Sequence, residues 1–235
     1  MAEVRDRRLA VLIDADNASP KIADALFEEI AKIGEASLRR IYGDFSKSQL
    51  VGWEKVLARY AILAQQQFAY TSGKNSSDIA LVIDAMDLLH SGRFDGFCLV
   101  SSDSDFTRLA ARIREQGVDV YGIGAAKTPE SFRQACTRFI FTENFVSDPD
   151  APKSAKKTLR PMAEAVDLIV KAMDELEEDG QGWLELGGVG TRLGNLSSEF
   201  DTRTYGHSKL SALVAASGRF DLDRSGPQLR VRPRR

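Results

Sequence analysis

Three stretches of the 235-residue chain gather side chains able to do chemistry: VLIDADN (11–17), GKNSSDIALVID (73–84) and LVSSDSDF (99–106). Two share one design. An apolar run ends abruptly in aspartates, Asp14 and Asp16 in the first case, Asp103 and Asp105 in the second, and a helical pattern follows. If the two runs are neighbouring strands, Asp14 and Asp103 come close together. Two carboxylates ~4 Å apart repel by roughly 4 kcal/mol at an effective dielectric of ~20. Several together need a cation or a raised pKa. Oxygen-only ligands point to Mg²⁺ or Mn²⁺ rather than zinc, and such ions activate water and clamp phosphodiesters. A simpler account competes, because Asp, Asn and Ser after a strand are also the commonest helix N-caps. Asp78 falls in the first turn of a helical pattern, where the helix dipole favours an acid in any case. Capping does not explain two acids at each strand end, where one suffices.

The elements that must position these acids alternate over the first 145 residues. Apolar runs at 9–13, 38–42, 97–101, 118–123 and 139–141 predict strands. Helical patterns fall at about 20–33, 47–60, 76–91, 104–116 and 129–136, and 61–72 reads as a short strand or loop. Regular alternation predicts an α/β domain with a mostly parallel sheet. In such a sheet, ligands gather outside the carboxyl ends of the strands where the strand order reverses. The composition then changes. SDPDAPKSAKKTLRP (147–161) carries three prolines and four basic residues, and reads as an exposed linker. Beyond it, an amphipathic helix from about 162, with Gly180 as its expected end, precedes short helices near 184–194 and 203–216 and a hairpin, FDLD…LRVR. Three helices and a terminal hairpin predict a small winged helix-turn-helix. The expected organisation is 1–146, linker 147–161, and 162–235.

Composition narrows the function. The formal charge is −2, with 43% hydrophobic residues. No apolar run approaches the ~20 residues that span a bilayer, and the charged N-terminus running into a strand does not resemble a signal peptide. Cys98 and Cys136 sit in apolar patterns without framework spacing, as expected of buried thiols in a reducing, cytoplasmic setting. With His90 and His207 the only histidines, a Cys/His zinc site is not expected. No G-x-G-x-x-G and no G-x-x-x-x-G-K-[ST] occurs, which removes dinucleotide and P-loop sites. A phospho-accepting receiver domain, which also places acids at strand ends, stays open on pattern alone.

VLIDADNAS, the GKNSSDIALVIDAMDLL block and CLVSSDSDFTRLAARIREQGVDVYGIG, in that order and spacing, resemble the NYN domain of the PIN-like nuclease superfamily, in its LabA-like bacterial branch. The resemblance covers about 8–145. It implies a three-layer α/β/α fold and a metal-dependent ribonuclease in which one or two Mg²⁺ or Mn²⁺ ions activate water against a phosphodiester. Carried across position by position, it makes Asp14, Asp78 and Asp103 the main metal-binding acids, with Asn17 and Asp105 completing the pocket and Ser101 and Ser102 lining it. Lys74 resembles the family's basic residue for a substrate phosphate. Asp84 fits a recurrent acid but lies about 240° around the helix from Asp78, so it is expected to be structural.

Residues 162–233 resemble a LOTUS (OST-HTH) domain, most specifically in Asp201-x-Arg203-x-Tyr205-Gly206-x-Ser208-Lys209-Leu210. That family implies RNA binding, with some members contacting protein partners instead. Arg203 and Lys209 would contact phosphates and Tyr205 would stack on a base. The competing account puts Tyr205 in the core, together with Leu210, Leu213 and Trp183. The tail RVRPRR adds four arginines in six residues. Basic against acidic residues number 18 and 21 over 1–149, and 14 and 13 over 150–235, so RNA affinity must rest on local patches. Two other functions remain compatible: a non-catalytic RNA-binding scaffold, and a nuclease acting on single-stranded or structured DNA.

Overall fold

The computed structural model describes residues 6–46, 48–68, 76–145, 159–176 and 182–234. The chain divides into two compact units, Met1–Ser147 and Asp148–Arg235. Among the described residues no helix is long and apolar enough to cross a membrane.

In the first unit, strands β1 (Arg8–Asp14), β2 (Glu35–Gly43), β3 (Leu63–Gln66), β4 (Gly96–Val100), β5 (Asp119–Gly124) and β6 (Arg138–Phe141) alternate with helices. These are α1 (Ala23–Ala31), α2 (Val51–Arg59), α3 (Ser76–His90), α4 (Thr107–Glu115) and α5 (Glu130–Ala135). The sheet runs β3-β2-β1-β4-β5-β6, and every neighbouring pair is parallel. Its middle strands read as continuous apolar runs because both of their faces are covered. Leu9, Val11, Ile13, Cys98 and Val100 pack on one side with Leu26, Ile30 and Trp53. Leu12, Phe97 and Leu99 pack on the other with Leu81, Ala85, Phe106 and Phe132. This is the three-layer α/β/α arrangement of a PIN-like domain.

Local boundaries follow local chemistry. Ser19 caps a 3-10 turn with Pro20 at its start, so the α-helix proper begins later than the pattern predicts, at Ala23. Strand β2 begins three residues earlier than its apolar run, at Glu35, because its first half is only partly covered. The uncertain stretch after α2 does contain a short strand, β3, at the sheet edge.

The second unit contains α6 (Met162–Asp174), β7 (Leu184–Glu185), α7 (Leu186–Leu196), α8 (Leu210–Ser217), β8 (Phe220–Asp223) and β9 (Arg230–Pro233). The antiparallel sheet has the order β7-β9-β8. Ile169, Val189, Leu193, Leu213, Val214 and Val231 form its core. Helices followed by a strand hairpin make a winged helix-turn-helix. Three expectations need correction. Helix α6 ends at Asp174 with Glu175 as its cap, well before Gly180, which lies outside the described residues. The segment expected as one helix over 203–216 is a 3-10 turn, Thr202–Tyr205, followed by α8. The end of the expected linker is not free, because the Arg160 amide donates to the Thr204 carbonyl and its guanidinium pairs with Glu199 at 2.9 Å.

Candidate metal centre

Strands β1 and β4 are neighbours, paired from Leu9 with Gly96 to Ile13 with Val100. Strand order departs in opposite directions from this pair, so the crevice at their carboxyl ends is the switch point of the sheet. Asp14 ends β1 there, and Ser101 to Asp105 leave β4 beside it.

Asp14 is almost fully buried and fully engaged. Its Oδ1 accepts the backbone N–H of Asp16 (3.0 Å) and Asn17 (3.3 Å). Its Oδ2 accepts the Asn17 side-chain amide (2.8 Å) and the Ser101 hydroxyl (2.7 Å). Four hydrogen bonds saturate a carboxylate. Burial pushes its pKa up, while the hydrogen bonds oppose the shift. The Ser101 hydroxyl in turn accepts the Asp103 N–H at 3.0 Å, and Asp103 Oδ1 accepts the Asp105 N–H at 3.0 Å. One hydrogen-bonded chain therefore joins the ends of both strands. The same bonds are turn caps, so capping and clustering are not alternatives here: a single oxygen of Asp103 caps the 3-10 turn Ser104–Phe106.

Helix α3 brings in the third acid. Asp78, Asp103 and Asp105 each offer a carboxylate oxygen, and these lie within 4.8 Å of one another. Asp78 is pushed up to about 6, first by partial burial and then by the charges of Asp14, Asp103, Asp16 and Asp105. Ser77 ties this helix end to the first loop, its hydroxyl donating to Asp16 Oδ2 at 3.2 Å.

These are the segments that carry the family pattern: residues 8–144 match the NYN domain and residues 157–231 match the OST-HTH/LOTUS domain. The chain belongs to the NYN domain family. It carries a C-terminal OST-HTH/LOTUS domain as well. The NYN fold is nuclease-like, and OST-HTH domains are associated with RNA binding. The chain is similar to the crystal structure of a protein of unknown function from Vibrio parahaemolyticus, at 16% identity and a TM-score of 0.51, over 63% of this chain and 98% of that one. That likeness concerns the fold alone. A solution structure of an uncharacterized Nitrosomonas europaea protein shares 31% identity over 38% of this chain and 89% of that one, at a TM-score of 0.29. No curated protein matches.

Within the NYN unit, the structure thus gathers Asp78, Asp103 and Asp105, and links the buried, fully hydrogen-bonded Asp14 to Asp103 through Ser101. Asn17 is exposed, with its amide nitrogen donating to Asp14. Ser102 accepts the Ala125 N–H at 2.9 Å and so pins the loop after β5. Lys74 lies outside the described residues. Asp84 is held away from the cluster by Tyr42 and Arg40, both at 2.8 Å, as expected of a structural acid. The pattern reading missed Asp44. It follows β2 at the same edge, is buried, and accepts from Ser46 and from Gln66 at the end of β3. Its signal was present in RIYGD, another apolar run ending in an acid, but Tyr42 and Gly43 blurred it.

In the OST-HTH unit the motif residues have other work. Asp201 is buried and caps the 3-10 turn through the Arg203 N–H (2.8 Å). The Arg203 guanidinium closes back on the same carboxylate at 2.6 Å. Tyr205 is only 5% exposed, packs against Phe200 with ring centroids 5.9 Å apart, and receives a hydrogen bond from Arg160. Gly206 follows with φ +87°, a conformation other residues rarely adopt. Tyr205 thus lies in the core, as the competing account has it, and the Arg203 guanidinium is paired with Asp201. Lys209, at the start of α8, is exposed. The hairpin forms as expected, with β9 running to Pro233. One further expectation changes: Trp183 lies half-buried outside the core, with the Arg232 guanidinium 4.3 Å and the Arg230 guanidinium 5.7 Å from its ring centre.

Proposed function

We propose that the NYN unit is a metal-dependent ribonuclease and that the OST-HTH unit binds the RNA it acts on. The observation that carries this reading is the convergence of Asp78, Asp103 and Asp105 from two separate chain segments, with Asp78 pushed up to about 6 first by partial burial and then by the neighbouring charges. The donor set fits a hard divalent cation, Mg²⁺ or Mn²⁺, because it offers carboxylate oxygens and neither nitrogen nor sulfur. Asp78, Asp103 and Asp105 would hold the ion, with Asn17 at the rim. When bound, such an ion supplies an acidified water and neutralises charge on a phosphodiester.

The chain's own residues do the positioning. Asp14, buried and saturated, acts as the anchor on which Asn17 and Ser101 are oriented. Ser101 relays that position to Asp103, and Ser77 does the same between α3 and the first loop. Asp78 must give up its proton before it can accept a cation, which ties metal binding to pH. Tethering an RNA-binding unit to the nuclease unit raises the local concentration of substrate at the acids.

The test is cleavage of labelled single-stranded RNA and DNA of the same sequence, with Mn²⁺, with Mg²⁺ and with EDTA. RNA cleavage that needs the metal is the expected result. Equal cleavage of DNA would move the reading to a general nuclease. Binding without cleavage under any metal would make the protein an RNA-binding scaffold.

A further inference from the structure

We propose that the OST-HTH unit takes single-stranded RNA on the outer face of its three-stranded sheet, around Trp183, Arg230 and Arg232, rather than on the Asp201–Lys209 segment. The inference rests on the reading of this unit as RNA-binding and assigns the surface.

The register builds that face. Val231 pairs with Leu184 on one side and Leu222 on the other, and Val231 and Leu184 are buried. Alternation along a strand then turns Arg230 and Arg232 to the opposite face. Across from them on β8 stand Asp223 and Asp221. The indole of Trp183, just before β7, lies under both guanidinium groups. A large aromatic side chain is thus left half-exposed although the core of this unit lies one residue away, at Leu184.

Cross-strand ion pairs alone are a common way to hold a sheet together, and they account for Arg230, which bonds Asp223. They do not account for the stacking of Arg232 on Trp183. The ion pair of Arg232 to Asp221 is 3.6 Å long, and Asp221 is shared with Arg234 at 3.0 Å. Arg232 also bonds Asp221 through its side chain, and its guanidinium stands 4.3 Å from the centre of the Trp183 ring. Over 219–234 five arginines (219, 224, 230, 232 and 234) face two aspartates (221 and 223). Arg219 and Arg224 are exposed. An aromatic ring with a stacked guanidinium, set in an arginine-rich rim, is the chemistry that binds unpaired bases and tracks a phosphate backbone. The motif segment lacks it, because Tyr205 is in the core and Arg203 holds Asp201.

The experiment uses the full chain in EDTA, so that RNA is not cut, and a labelled single-stranded RNA of about a dozen nucleotides followed by anisotropy. Trp183→Ala and Arg232→Gln are each expected to weaken binding by about tenfold, the scale of one stacked base. Lys209→Gln is expected to change it less than about twofold, with melting temperatures unaltered throughout. RNA is also expected to quench tryptophan emission in the wild type and not in Trp183→Phe, which retains only the fully buried Trp53. If the wild type binds RNA with no quenching, and Trp183→Ala and Arg232→Gln bind as well as it does, the surface assignment is wrong while the RNA-binding reading survives. If the wild type binds no RNA, both fall.

Discussion

The carboxyl edge of the parallel sheet and the Asp201–Lys209 segment are both dense in polar residues, yet they end in opposite electrostatic states. At the sheet edge, side chains from β1, β4 and α3 bring like charges together, and partial burial together with those charges pushes Asp78 up to about 6. In the second unit the acid and the base lie two residues apart and close on each other: Asp201 caps a turn, and Arg203 neutralises it at 2.6 Å. A polar cluster signals a site when separate segments of the chain bring like charges together. It signals a local turn when the chain supplies the partner a few residues away.

The largest expected effect tests the first half of that contrast. Asp103→Asn keeps the turn cap through its side-chain oxygen but removes a charge from the cluster. It should lower RNA cleavage by more than the ~10–100-fold typical of a supporting residue, in a single-turnover assay with the fold checked by circular dichroism. Ser101→Ala comes next. It removes the bond that links Asp14 to Asp103, so metal affinity or rate should fall by about 10- to 100-fold, and Ser101→Thr should restore most of it. Unchanged metal affinity in the alanine variant would reduce the strand-end chain to a local cap.

The second half of the contrast predicts stability effects. Tyr205→Ala should destabilise the OST-HTH unit by about 3 kcal/mol, as a truncated core aromatic does, measured by denaturant unfolding. The fraction that stays folded should bind RNA as well as wild type. A selective loss of RNA affinity at full stability would return Tyr205 to the interface.

The smallest effect expected is pH dependence. The folded pKa of Asp78 is raised above its ordinary value, so the metal-free protein binds an extra proton between about pH 4 and 6. Its contribution to stability is present below pH 4 and is lost as pH rises through 6. A divalent ion needs the deprotonated form. Mn²⁺ should therefore raise the melting temperature more at pH 7.5 than at pH 5. An equal shift at both would separate Asp78 from the metal.

Much of this was legible in the residues. Strands β1 and β4 are readable because both faces are buried, which leaves unbroken apolar runs that stop sharply at Asp14 and Ser101. The wing is readable because FDLD and LRVR alternate, with Phe220 and Val231 turned into the core. Asp44 escaped because its hydrogen-bond partner Gln66 lies 22 residues on, across the β2–β3 edge. The roles of Arg203 and Tyr205 escaped because motif identity does not say which side of a 3-10 turn faces the core. Trp183 escaped for the converse reason: hydrophobicity suggested burial, and only the register with β9 places it under two arginines.

The central claim is that the strand-end acids hold a divalent cation. Calorimetric titration of Mn²⁺ into the full chain at pH 7.5, wild type beside Asp105→Asn, tests it directly. The expected result is saturable binding in the wild type and at least about tenfold weaker binding in the folded variant. Equal binding by both proteins, or none by the wild type, would contradict the assignment.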